Sequence, residues 1–236
     1  MLDWMDEAHK EKESLNEVLS FHDYMEIFEE HPCRECRSSY EYLLALLNYF
    51  GTEDGKFKLF EQEHDDSAPV YGQTRPVQTI YDNLLNFKEE GINNKFILLV
   101  GPNGSSKSSL VRKIMKGAEE YSKKDEGALY TFSWIFPIES YVKGSLGLSN
   151  ESDTHELSTF AYLDDKDISA ILKSELKDHP ALLIPREYRQ KIIDDLLQDH
   201  PEFLDTVRKS YLYKGDLSKR NRMIYDALLK NYKGRH

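Results

Sequence analysis

The sequence predicts an α/β fold: a three-layer core in which a parallel sheet is covered by helices on both faces, with a helical region before it and further helices after it. Three adjacent observations predict it. The apolar run Phe96-Ile97-Leu98-Leu99-Val100 reads as a buried strand. Directly after it comes Gly101-Pro102-Asn103-Gly104-Ser105-Ser106-Lys107-Ser108-Ser109, rich in glycine and small polar residues. Leu110, Val111, Ile114 and Met115 then recur at helical spacing.

A strand, a glycine-rich loop and a helix in this order form a phosphate-binding constellation. A loop whose backbone N–H groups turn inward cradles a polyphosphate, and the following helix adds its positive end. Gly101 and Gly104 permit the bend, and Pro102, Asn103, Ser105, Ser106 and Ser109 complete the cradle. Lys107 stands where an ammonium reaches the β and γ phosphates of ATP, and Ser108 where a hydroxyl ligates Mg²⁺. The motif G-x-x-x-x-G-K-[ST] asks for glycine before the lysine, and this sequence has Ser106 there. The alternative is a Gly/Ser-rich turn ahead of an ordinary helix, which has no need of a lysine followed by a hydroxyl.

At 236 residues the protein is long enough for a sizeable core. Its 31 basic and 42 acidic residues give a net charge of −11, which disfavours a broad nucleic-acid or anionic-membrane surface. No apolar stretch approaches a membrane span. Asp3, Asp6 and Glu7 are unlike the start of a signal peptide, so a cytoplasmic location is expected. Cys33 and Cys36 form a lone C-x-x-C. A zinc site would need His22 or His31 to complete it; reduced surface thiols at a helix start are the default expectation.

The elements follow in order. Residues 1–65 read as a mainly helical region, and 66–236 as the nucleotide-binding domain with an insertion near 138–165. Ser20 with Asp23 caps a helix that should stop before His31-Pro32. Ser38 or Ser39 opens another, carrying Tyr42, Leu43, Leu46, Leu47 and Phe50. Phe57 and Leu59 hint at a short strand, and residues 61–68 at a polar linker. Val77, Ile80, Tyr81, Leu84 and Leu85 mark a helix ahead of the loop. This order suits ATPases of the AAA+ class, in which an apolar-aromatic-Gly segment lies against adenine. Tyr71 and Gly72 stand where that contact belongs, although a Tyr-Gly pair also serves as a plain turn.

Beyond the loop helix, the β-prone run 128–136 reads as a second parallel strand, and residues 144–158 as an exposed loop. Ile168, Ile171, Leu172 and Leu176 mark a helix; Pro185, Tyr188, Ile192, Ile193, Leu196 and Leu197 another. Phe203, Leu204, Val207, Tyr211 and Leu212 suggest a third, and Met223, Ile224, Leu228 and Leu229 a fourth. Ile192-Ile193-Asp194-Asp195 superficially resembles an apolar strand ending in two acids. Helical spacing through Leu197 makes it a helix, leaving no acid placed to polarise an attacking water.

Several segments together resemble the AAA domain of the PrkA family of bacterial serine protein kinases. They are the loop 101–109, Tyr121-Ser122 with Asp125-Glu126-Gly127-Ala128-Leu129-Tyr130, Trp134-Ile135-Phe136-Pro137, Asp178-His179-Pro180 with Leu183-Ile184-Pro185, and Gly215-Asp216-Leu217-Ser218-Lys219-Arg220-Asn221. The resemblance implies an ATP site at 101–109 and ATP-dependent serine/threonine kinase activity on a protein substrate. Family members continue beyond the residues that align with the end of this sequence, which implies an N-terminal fragment incomplete for catalysis. A sheet cut short in this way would expose an apolar edge and favour self-association, so a homo-oligomer is an expected state.

Three other functions compete. An AAA+ motor or regulator would couple ATP turnover to remodelling a protein partner. An ABC-type or chromosome-maintenance ATPase suits the loop but lacks an L-S-G-G-Q signature, for which Gly147-Leu148-Ser149-Asn150 is a poor substitute. A nucleotide-free interaction domain would keep the loop as a relic, and Ser106 favours that reading.

Overall fold

The computed structural model describes residues 18–63, 68–90, 96–138 and 159–232. Helices dominate. In sequence order they begin with α1 (Phe21–Glu30), the single turn α2 (Pro32–Glu35) and α3 (Ser39–Phe50). A minimal hairpin, β1 (Thr52–Glu53) and β2 (Lys56–Phe57), turns through Asp54 and Gly55, both at positive φ. Then come the short α4 (Lys58–Glu61), α5 (Thr74–Glu90) and α6 (Lys107–Ser122). Strands β3 (Ser133–Pro137) and β4 (Ile168–Lys173) precede α7 (Arg186–Leu196), α8 (Pro201–Val207), α9 (Tyr211–Lys214) and α10 (Lys219–Tyr232).

Two helix starts follow directly from capping chemistry. The hydroxyl of Ser20 accepts from the backbone N–H of Asp23, whose carboxylate accepts from the Ser20 N–H at 3.0 Å, closing a reciprocal box. Ser38 and Glu41 repeat the arrangement at α3. Hydrogen bonds from the Ser20 and Tyr162 hydroxyls hold the Asp23 carboxyl below the usual range.

The protein divides into two compact units. One comprises residues 33–129 and 186–215. Its core gathers Tyr40, Leu44, Leu46 and Leu47 of α3, Leu59 and Phe60 of α4, Val77, Ile80, Leu84 and Phe87 of α5, and Leu110 and Tyr121 of α6. Each such side chain, once buried, contributes roughly 1.5–3 kcal/mol. Gly117 lets α6 approach α4 closely, since a Cβ there would lie 2.5 Å from Leu59 Cδ1. In the same unit Asp194 accepts from Arg208 Nε and from the Tyr213 hydroxyl, both at 3.0 Å, and so joins α7 to α8 and α9.

The other unit comprises residues 1–32, 130–185 and 216–236. Here β3 and β4 pair antiparallel, with Trp134 opposite Leu172 and Ile135 opposite Ile171. Asn221, buried at the start of α10, donates to Ser174 Oγ and Asp178 Oδ2, both at 2.8 Å, and accepts from Trp134 Nε1 at 3.0 Å. Asp178 also accepts from the Ser218 N–H at 2.8 Å.

The expected three-layer parallel sheet, the AAA+-like core, is not what the described residues form. They contain two separate two-stranded antiparallel sheets and no extended parallel sheet. Residues 96–100 join no sheet, and Phe96, Leu98 and Val100 are 82%, 69% and 83% exposed. A parallel strand is stable only when flanked by others and covered on both faces. The second expected parallel strand is the antiparallel β3. The helix expected from Ile168, Ile171, Leu172 and Leu176 is instead β4. A short apolar run satisfies either period, and pairing with β3 decides. The run from Phe203 to Leu212 is two helices, broken where Ser210 caps α9. Residues 64–67 of the expected linker and 139–158 of the expected insertion lie outside the described residues.

Candidate functional site

The glycine-rich loop runs into the first residue of α6, a sixteen-residue helix that begins at Lys107. Gly104 takes φ of +79°, a left-handed conformation open to glycine without strain. Ser105 turns back on the loop: its N–H and its hydroxyl both meet the Pro102 carbonyl, the latter at 2.8 Å. A Cβ on Gly101 would lie 2.8 Å from Ser105 Oγ, so the first glycine makes room for that turn. Ser106, the departure from the motif, sits at φ of +60°. Glycine is preferred there because an L side chain in this region costs about 1–2 kcal/mol.

The Lys107 ammonium folds back over the loop. It donates to the carbonyls of Gly101 at 2.8 Å and Pro102 at 2.7 Å, and to Ser105 Oγ at 3.0 Å. A positive group is therefore held across the mouth of the loop by oxygens alone. Ser108 and Ser109 are exposed on the first turn of α6. Beside them a cavity of about 640 Å³ runs along the helix, lined by Leu99, Lys107, Ser108, Val111, Arg112 and Met115. Lys116 and Glu119 close its far end and pair at 3.0 Å.

Not every expected site residue lies on this cavity. Gly72, at φ of +73°, lines a much smaller space with Phe57, Phe60, Val70 and Val77, and Tyr71 is 70% exposed. The residues lining the two spaces are distinct. Arg112 and Met115 were not singled out by the sequence reading as site residues. Their signal was the spacing of four and seven from Ser108, which places all three along one helix face.

The Asp125-Glu126-Gly127 segment has a packing role. Arg34 Nη1 donates to the Asp125 carbonyl at 3.1 Å, Arg37 Nη2 to that of Glu126 at 2.8 Å, and the Tyr42 hydroxyl to that of Gly127 at 3.0 Å. A Cβ on Gly127 would fall 2.0 Å from the Tyr121 carbonyl oxygen.

Cys36 is buried, contrary to the expectation of two surface thiols, and burial raises the pKa of both thiols. No group of three or more His, Cys, Asp or Glu that could hold a metal gathers among the described residues. Nor is any described helix long and apolar enough to cross a membrane.

The site is thus a glycine-rich loop closed by its own lysine at a helix start. Among curated proteins the sequence is similar to the ATP-dependent protease PrkA of Bacillus subtilis (strain 168), at 26% identity over 132 residues. The match takes in 53% of this sequence and 20% of that protein, so it spans about a fifth of the relative's length. No family model and no solved structure matches.

Proposed function

We propose that residues 101–109 bind the phosphates of ATP with Mg²⁺, and that the protein is the nucleotide-binding part of a PrkA-like ATP-dependent protein. The observation that carries this is the Lys107 ammonium held by the Gly101 and Pro102 carbonyls of a loop that takes a left-handed turn at Gly104. A polyphosphate would take over part of that ammonium's hydrogen bonding, and charge-assisted bonds to phosphate are stronger than those to neutral carbonyls. Ser108, exposed at the next position, would give Mg²⁺ one protein oxygen. Mg²⁺ commonly keeps several waters and takes its remaining ligands from phosphate, so a single hydroxyl suits it. Bound there, the ion would neutralise charge on the phosphates.

For the whole protein we propose phosphoryl transfer to serine or threonine of a protein substrate. The segments that resemble those of PrkA-type kinases support it. The name of the Bacillus subtilis relative favours a second reading, in which ATP is spent on processing a protein partner. The fate of γ-labelled phosphate separates the two. Label on protein serine or threonine supports transfer, whereas free phosphate accompanied by cleavage or remodelling of the partner supports the second. For the site itself, Ser108→Ala should remove the Mg²⁺ dependence of ATP binding while leaving residual binding through Lys107. Unchanged Mg²⁺ dependence would remove Ser108 from the site.

A further inference from the structure

Asn103 and Gly104 form the one Asn-Gly step in the sequence, and it falls in the middle of the loop. Both residues are exposed, and Gly104 has nothing within 4 Å of where a Cβ would stand. The neighbours on the C-terminal side are engaged: Ser105 through its N–H and hydroxyl, Lys107 through its ammonium. The Gly104 N–H and the Asn103 side chain have no hydrogen-bond partner among the described residues. An amide nitrogen locked in a hydrogen bond is a poor nucleophile; this one is open. The missing side chain at 104 removes the steric bar to ring closure, and the turn lies before the first residue of α6.

We propose that Asn103-Gly104 is a self-modification site. The backbone nitrogen of Gly104, losing its proton to water, attacks the amide carbon (Cγ) of Asn103. A new N–C bond forms, the bond from Cγ to Nδ2 breaks, and ammonia leaves. Water then opens the five-membered imide at either carbonyl, giving aspartate or isoaspartate. The product carries one new negative charge where the Asn103 side chain was neutral. The regulatory consequence rests on the ATP reading: a carboxylate at 103 repels phosphate, so a loop left empty irreversibly loses affinity for its ligand, and one holding nucleotide is shielded from water. Asn221 and Asn83 lack these conditions. Asn221 is buried and fully engaged, and Asn83 sits within α5 with its amide donating to the Thr79 carbonyl.

The test incubates the full-length protein in mildly alkaline buffer with and without ATP and Mg²⁺, followed by peptide mapping with mass spectrometry. The peptide holding Asn103 should gain about 1 Da before any other asparagine-containing peptide. The gain should vanish in Asn103→Gln, whose unfolding midpoint should match the wild type because the position is exposed. Nucleotide should slow the change several-fold. An unmodified Asn103 after other asparagines have reacted overturns the proposal. Modification at Asn103 that nucleotide does not slow upholds the chemistry and overturns the ATP reading instead, so the two failures are distinguishable.

Discussion

The helix behind the glycine-rich loop and the apolar segment in front of it carry similar side chains and meet opposite fates. Leu110, Gly117 and Tyr121 of α6 are sealed against α3, α4 and α5, whereas Phe96, Leu98 and Val100 stand largely in solvent. A helix satisfies its backbone groups internally and needs one covered face. A strand needs neighbours for every N–H and C=O, and the described residues offer this segment none. Local sequence therefore fixes α6, and it leaves residues 96–100 outside either sheet.

Substitutions along these two elements sharpen the contrast. The largest loss is expected just beyond the C-terminal end of α6, where Gly127→Ala drives a methyl into the carbonyl of Tyr121. Chemical denaturation should register about 3 kcal/mol or more, because backbone rather than a flexible side chain must yield. Leu110→Ala should follow, at about 2–3 kcal/mol for a leucine only 3% exposed. A loss near zero at Leu110 would mean that α6 does not bury this face.

Ser106→Gly acts in the opposite direction. Relief of the left-handed conformation should raise stability by about 0.5–1 kcal/mol after glycine's greater freedom in the unfolded state is subtracted. A destabilised Ser106→Gly would show the serine to be making a contact worth more than the strain. The smallest effect belongs to the exposed segment. Leu98→Asp should leave the unfolding free energy within about 0.5 kcal/mol of wild type, and should lower self-association measured by light scattering. A loss as large as that of Leu110→Ala would place Leu98 in a core.

These elements also show what was legible in the sequence. The cap at Ser20 with Asp23, the helix start at Ser38, the helix opened at Arg186 after Pro185, and Val77, Ile80 and Leu84 on the buried face of α5 follow from signals a few residues apart and are present, whereas the expected Leu85 is exposed and Phe87 is buried on that face instead. Asp194 and Asp195 lie on a helix as their spacing demanded, and Asp194 holds Arg208 and Tyr213. The sheet was not legible, because strand pairing is a long-range property and Ile168-Leu172 satisfies a helical period while pairing with β3. At the loop, the motif singled out Gly101, Gly104 and Lys107. It could not reveal that Ser106 occupies a left-handed position, or that Arg112 and Met115 wall the adjoining cavity.

The motif segments beyond the loop teach a related lesson. Asp178, Ser218, Asn221 and Trp134 converge on one buried polar network, and Asp125-Glu126-Gly127 is pinned through its carbonyls by arginines and a tyrosine. Residues far apart in sequence can thus share a motif because they share hydrogen bonds. The contacts they make here are packing contacts, and the loop with the start of α6 is where we propose that the ligand binds.

Calorimetric titration of ATP with Mg²⁺ into the wild-type protein and into Lys107→Ala tests that placement most directly. A saturable heat is expected in the wild type, with affinity lowered about tenfold or more in the variant, the scale of one charge-assisted hydrogen bond to phosphate. Equal affinity in the two proteins, or no binding to the wild type, would contradict it.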